Sequence, residues 1–422
     1  MVAGGAEIDV LNLLLVLVVA WTFGAAAERV GYPAMMGELL AGVAFGPAML
    51  GLLEPSETLD VLAELGVFLL MVYVGMEVDL DDLFALGSQA LAVAVGAFVI
   101  PFGLGYGAGV AIGTSTGGAL FLGLAMAATS LATKSRILVD LDLLDTRIAG
   151  ILLGGALISD VGVLVVFAAV LGFVQAGTVD ALAVVITLVE ALAFFAATLF
   201  IGYRFLPHVW SQFDALRRRY GFVNETTAFT IALAVALVFA ALADLAGLHV
   251  IIGGFVAGMF LRQADLHESL YRHMHDVIYD LAIGFFAPVF FVTVAFDITL
   301  DVFTQSLGLL ALLVGVAFVG KIAGSWLFSL PTNLTSREGV VIGFGMNGRG
   351  TVEIIIAAVA LSNGIIGQEL FSILVFLAMF TTAMVPVTMK WGIDWLSAAG
   401  ELVYTDGSTG STEPPAETDV RG

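Results

Sequence analysis

Apolar stretches long enough to cross a lipid bilayer recur along almost the whole of this chain, separated by short polar connections. They fall at about 11–27, 34–52, 60–77, 88–112, 118–134, 147–172, 181–204, 226–245, 249–261, 277–296, 303–330, 338–361 and 369–390. No water reaches the hydrocarbon region to satisfy a bare peptide group, so a spanning segment is either a helix or part of a closed barrel. These stretches are continuous and lack a two-residue alternation, which excludes an outer-membrane barrel. At roughly 20 residues per crossing, the chain reads as an all-α polytopic membrane protein of about 13 transmembrane helices.

Composition supports this reading. Hydrophobic residues make up 60% of the chain and charged residues 12%, against roughly 25% charged in a soluble domain. The first stretch follows Glu7 and Asp9 and lacks a basic leader, so it reads as a helix and not as a cleaved signal peptide. Cysteine is absent, which removes disulfides, thiolate chemistry and cysteine metal sites. His208, His249, His267, His273 and His275 lie in loops or near segment ends, where no resident metal centre is expected. The net charge of −21 disfavours nucleic acid as a partner and suggests a salt-loving source. Residues 397–422, rich in Gly, Ser, Thr, Glu and Pro, read as a disordered acidic tail.

Basic residues gather in cytoplasmic loops, and they give a topology. With about 13 spans and the N-terminus outside, Arg29, Lys134, Arg136, Arg147, Arg204, Arg217, Arg218, Arg219, Arg262, Arg272, Arg337, Lys390 and Arg421 all fall on the cytoplasmic side. Only Lys321 and Arg349 fall within spans. The C-terminus is then cytoplasmic, and the expected location is the cytoplasmic membrane.

An odd span number permits two halves of opposite orientation, and two segments are interrupted at comparable places. The fifth contains Ala128-Thr129-Ser130-Leu131-Ala132-Thr133, and the twelfth contains Gly343 to Gly350 with four glycines. Glycine disfavours a continuous helix, so the pair points to broken helices crossing at mid-membrane. Taken alone, the first interruption also fits a Ser/Thr-rich helix end near the cytoplasmic loop.

Ionisable groups inside spans cost several kcal/mol and demand a partner, a wet cavity or a function. Asp160 lies in the middle of the sixth segment. A carboxylate there can hold a proton or a cation in turn, or serve as a structural counter-ion. Lys321, deep in the eleventh segment, either titrates with such a site or is a fixed charge between helices. Arg349 and Glu353, one helical turn apart, suit an internal ion pair. Glu190 reads as a packing acid, and Glu77 ends the third segment. Thr129, Ser130 and Ser159, with carbonyls freed by unwound helices, offer the oxygen ligands that a hard alkali cation takes, whereas calcium demands more carboxylates. No phosphate-binding loop, serine elbow or zinc-protease motif is present. No enzymatic activity and no cofactor are expected.

The ordered motifs resemble those of the monovalent cation:proton antiporter-2 family, which holds NapA-like sodium/proton exchangers and Kef-type potassium transporters. The residues that carry the resemblance are Pro33 to Gly42 with Gly46-Pro47, Glu64 to Leu70 with Gly75-Met76-Glu77, Gly253 to Gly258, Gly284 to Phe291, Gly320-Lys321 and Gly345 to Gly350. They span roughly residues 10 to 390.

The resemblance implies a NapA/NhaA-like inverted-repeat fold in a homodimer. Residues 1–396 would be the exchanger domain, with core helices at about 88–172 and 303–390 and the remainder dimerising. It also implies elevator-type exchange of Na+ or K+ for H+, with Asp160 as the ion-binding aspartate, Lys321 as the core lysine and Thr129 and Ser130 as the crossing-helix region. Ser159 stands where members that move net charge carry a second acid, so one-for-one, electroneutral exchange is expected. Kef-type systems often continue into a nucleotide-binding domain, and none is expected here. A Kef-like efflux channel and a sodium-coupled symporter are the alternative readings.

Overall fold

Side-chain caps mark several of the helix starts in the computed structural model, which describes residues 9–78, 87–141, 143–176, 225–246, 248–263 and 268–404. The seventh apolar stretch with Glu190, the basic residues from Arg204 to Arg219, His208, His267 and the tail beyond Tyr404 lie outside the described residues.

Helix α1 (Val10–Arg29) begins at Asp9, whose carboxylate accepts the Asn12 N–H at 3.0 Å. Helix α2 (Ala34–Phe45) follows Pro33, which cannot donate and so sits naturally at a helix start. Ser56 caps α3 (Glu57–Met76). Next come α4 (Ser88–Ala111), α5 (Thr116–Ala127), α6 (Leu131–Asp140) and α7 (Arg147–Ala176). Beyond 224 lie α8 (Glu225–Leu245), α9 (Val250–Arg262) and α10 (Glu268–Leu281). A π-helical turn at Ala282–Phe286 leads into α11 (Ala287–Val294), where Pro288 removes a donor and the wider turn absorbs its ring.

The remaining helices are α12 (Leu307–Ser329), α13 (Ser336–Met346), α14 (Thr351–Ser362) and α15 (Gln368–Ala398). Thr335 and Glu338 close a reciprocal capping box at the start of α13. Arg147, at the start of α7, donates from Nε to the same Glu338 carboxylate at 3.0 Å.

Among the described residues, eight helices are long and apolar enough to cross a membrane, or nine when the α13–α14 pair, bent by 54°, counts as one span. Ala34–Phe45, Thr116–Ala127 and Val250–Arg262 are shorter apolar helices. Large apolar side chains such as Trp21, Val110, Leu237, Val319 and Val387 face outward, an arrangement suited to lipid.

The described helices pack as two sets. One contains α1–α3 and α8–α11, the other α4–α7 and α12–α15, and backbone packing is dense within each set and sparse between them. Glycines allow the closest approaches. In the first set a Cβ on Gly75 or Gly258 would lie 2.0 Å from a carbonyl oxygen of the facing helix, and in the second a Cβ on Gly96 or Gly324 would lie 2.2 or 2.1 Å from one. Such small-residue contacts suit helices in lipid, where packing replaces the hydrophobic drive between helices.

Two sequence expectations differ from the structure. The fifth segment does not end at 134, because the helix restarts after its break and runs to Asp140, which carries Lys134 into the interior. Residues 397–404, placed in the disordered tail by composition, are held. Helix α15 continues to Ala398, Tyr404 bridges Thr146, and Leu402 is buried.

Candidate functional site

Two helix breaks meet inside the second set. Helix α5 stops at Ala127 and α6 starts at Leu131, while α13 stops at Met346 and α14 starts at Thr351. The Ser130 N–H donates to the Gly348 carbonyl at 3.0 Å, and the Thr129 hydroxyl faces the carbonyls of Met346 and Gly348 at 3.0 and 3.1 Å. A Cβ on Gly350 would lie 2.4 Å from the Ser130 Oγ, so only glycine allows this approach.

A helix end leaves four carbonyls without helical donors, and both breaks satisfy theirs. At the end of α5, Leu124 accepts from the Ala128 N–H. Ala125 and Met126 accept from Arg349 at 2.5 and 3.1 Å, and Ala127 accepts from Lys321 Nζ at 2.5 Å. At the end of α13, Asn347 serves Gly343 and Phe344, Gly348 serves Gly345, and Thr129 serves Met346. Two cations at the negative end of α5 also complement its dipole. Arg349 pairs with Glu353 at 2.8 Å with both side chains fully buried, the i,i+4 pair that their spacing suggests.

Asp160 projects from the middle of α7 and is 8% exposed. The Leu131 N–H, at the positive end of α6, donates toward its carboxylate. Its Oδ1 has no hydrogen-bond partner among the described residues, an uncommon state for a buried oxygen. Asp160, Thr129 and Ser130 line one cavity of about 310 Å3 together with Leu70, Tyr73 and Glu77 of α3, so the cavity lies on the seam between the two helix sets. Ser159 is buried, its hydroxyl has no hydrogen-bond partner among the described residues, and it is not among the residues lining that cavity.

Sequence reasoning missed two buried ionisable groups beside the breaks, in addition to the buried Glu338 at the start of α13. Lys134, placed in a cytoplasmic loop by the charge count, is 1% exposed and donates to the Thr129 hydroxyl, to the Ser130 carbonyl at 2.9 Å and to the Gly348 carbonyl at 3.4 Å. The charges of Lys134 and Lys321 both act on Asp160. The available signal was its position one turn after Ser130, which turns it toward the break. Glu38 of α2 is also buried and lines a second cavity of about 220 Å3 with Ser130, Thr133 and Gly350, again on the seam. Among the described residues, no group of three or more His, Asp or Glu gathers as a metal site.

The arrangement offers a carboxylate open to a cavity, hydroxyl and carbonyl oxygens around it, and fixed cations that hold the broken helices. That is chemistry for binding and releasing a small cation.

Comparison with known proteins agrees with the helical architecture. A family model described as "Sodium/hydrogen exchanger, transmembrane" matches residues 13–395. The Na(+)/H(+)-K(+) antiporter GerN of Bacillus cereus is 32% identical over 380 residues, covering 90% of this chain and 95% of that protein. The Na(+)/H(+) antiporter of Enterococcus hirae is 27% identical, covering 91% and 98%. The solved structure of the sodium proton antiporter MjNhaP1 from Methanocaldococcus jannaschii superposes with a TM-score of 0.67 at 17% identity, over 91% of this chain and 95% of the other. On the extent of the family match and the identity to GerN, this chain belongs to the sodium/hydrogen exchanger family.

Proposed function

We propose that the chain is a secondary antiporter exchanging Na+ or K+ for H+ across the cytoplasmic membrane, with Asp160 holding the cation and the proton in turn. The observation that carries this reading is the Asp160 carboxylate. It is buried, it keeps one oxygen without a hydrogen-bond partner among the described residues, and it opens into a cavity beside two meeting helix breaks. The names of the relatives agree with it: GerN is a Na(+)/H(+)-K(+) antiporter and the Enterococcus hirae protein a Na(+)/H(+) antiporter.

In this reading Thr129 and Ser130 supply oxygens from the cavity wall, Ser159 would have to turn its hydroxyl toward the ion to join them, and Lys321, Arg349 and Glu353 are the fixed charges that brace the breaks. The division into two helix sets, with both cavities on the seam, supports an elevator movement of α4–α7 and α12–α15 against the rest. It fits a fold of about 13 helices with an inverted repeat, working as a homodimer with its N-terminus outside. One carboxylate carries one proton or one monovalent cation, so the exchange is electroneutral. The symporter alternative needs a basic group that can meet an organic anion, and Arg349 instead turns its two terminal amino groups to Ala125, Met126 and Glu353.

The test is cation-driven dissipation of a pH gradient in proteoliposomes. Sodium or potassium should collapse the gradient with the natural protein and not with Asp160→Asn. Equal activity of that variant would sink the assignment, and conductance without proton movement would favour a channel.

A further inference from the structure

The oxygens at the meeting of the two breaks already hold a cation, and it is part of the chain. The Lys134 ammonium has three N–H groups, and it meets three oxygens: the Thr129 hydroxyl, the Ser130 carbonyl and the Gly348 carbonyl. One hydroxyl and two carbonyls from unwound backbone form the kind of ligand set that transporters of this architecture offer to an alkali cation. Two of the three residues, Thr129 and Ser130, also line the cavity that contains Asp160.

Charge counting leads to the same place. Three buried cations, Lys134, Lys321 and Arg349, lie at the breaks with the buried carboxylates of Asp160 and Glu353, while Glu77 and Glu38 line the two cavities beside them. Arg349 is paired with Glu353, and Lys321 is bound to the Ala127 carbonyl. Lys134 and Lys321 both act on the Asp160 carboxylate, and Lys134 does so from the oxygens of Thr129 and Ser130, which line the same cavity. A transported ion entering beside Asp160 meets the ammonium twice, as a like charge and as a competitor for the same oxygens.

We propose that Lys134 is a tethered competitor of the transported cation, whose ammonium occupies oxygens at the helix breaks and sets how much sodium or potassium is needed to load the site. The inference rests on the antiporter reading of Asp160. It assigns Lys134 a role in cation affinity, with no part in supplying the exchanged proton.

The test compares the natural protein with Lys134→Gln, which removes the charge and keeps an N–H donor, and with Lys134→Arg, which keeps the charge. In proteoliposomes, Lys134→Gln is expected to lower the KM for Na+ or K+ by about tenfold or more, with the maximal rate within about threefold of the natural protein. Lys134→Arg is expected to leave KM unchanged or raise it. A lysine that merely props the breaks would alter rate or stability without lowering KM. An unchanged or raised KM in Lys134→Gln overturns the proposal.

Should Lys134→Gln lose transport, the midpoint of cation-induced thermal stabilisation is read on purified protein, with NaCl and KCl titrated against choline chloride. A midpoint about tenfold lower than that of the natural protein supports the competition, and an equal or higher midpoint overturns it. Lys134→Thr, which leaves a smaller side chain, provides the same reading if the glutamine variant does not fold. The Asp160→Asn control separates the two ideas: flux in that variant equal to the natural protein's tells against the antiporter reading, whereas the titration midpoints report on Lys134 alone.

Discussion

Ser130 donates its backbone N–H to the carbonyl of Gly348 at 3.0 Å, which joins the two helix breaks across 218 residues of sequence. The bond can form because Gly350, two residues further on, presents no side chain to the Ser130 hydroxyl. The site therefore depends on a contact that neither break could make alone.

Gly350→Ala should disturb that contact directly. The added methyl would lie 2.4 Å from the Ser130 Oγ, and overpacking of this kind costs about 1–3 kcal/mol. Exchange is expected to fall at least about tenfold because the oxygens around Asp160 move with Ser130. Gly308→Ala in α12, where an added Cβ meets nothing within 4 Å, is the control and should behave as the natural protein in flux and melting assays.

The Arg349–Glu353 pair offers a second measurement. Both groups are fully buried, so Glu353→Ala leaves a buried guanidinium without its carboxylate and should destabilise by about 3–5 kcal/mol. Arg349→Met removes in addition the donors to Ala125 and Met126. The double variant should cost less than the two single costs added, because neither charge is then stranded. Strict additivity in denaturation of purified protein would show that the pair is not coupled.

The solitary carboxylate makes a prediction about charge. In the proposed exchange, with Ser159 beside Asp160, each half-cycle would carry one positive charge in either direction. Initial exchange rates should then be the same, within error, when the membrane potential is clamped at zero and when a potential of either sign is imposed. A rate that follows the potential would mean that a second titrating group moves with the site.

The contact between Arg337 and Glu401, at 2.6 Å, has side chains 41% and 29% exposed. Exposed pairs contribute roughly 0–1 kcal/mol. Glu401→Gln should shift the melting temperature only slightly, by less as ionic strength rises, and should leave exchange unchanged. A large loss of activity would indicate that residues after α15 do more than pack.

Sequence alone established the membrane class, because apolar length and the ban on unpaired backbone in lipid depend on composition in order and on nothing else. It also nominated the breaks. Four glycines between Gly343 and Gly350 and the Ala128–Ser130 run disfavour continuous helix, and both helices do stop there. Spacing likewise suggested the pair of Arg349 with Glu353, since i,i+4 neighbours are fixed by helix geometry.

Charge counting failed at Lys134 for a physical reason. A tally by segment assumes that a segment ends where its apolar run ends, and α6 continues past that point as a second half-helix. Glu38 lies inside the second apolar stretch, which was a signal in itself, but nothing in that stretch shows that α2 lies beside the breaks. The partner of Lys321 lies on another segment, as do the Gly348 carbonyl that Lys134 reaches and the carbonyls that Arg349 holds, and the cavity beside Asp160 is walled by α3 on one side and the broken helices on the other. Local pattern determined which helices form, which of them break and which residue carries the central carboxylate. Only tertiary structure decided which cation meets which oxygen, because those contacts join residues far apart in sequence whose distances are set by how the helices pack.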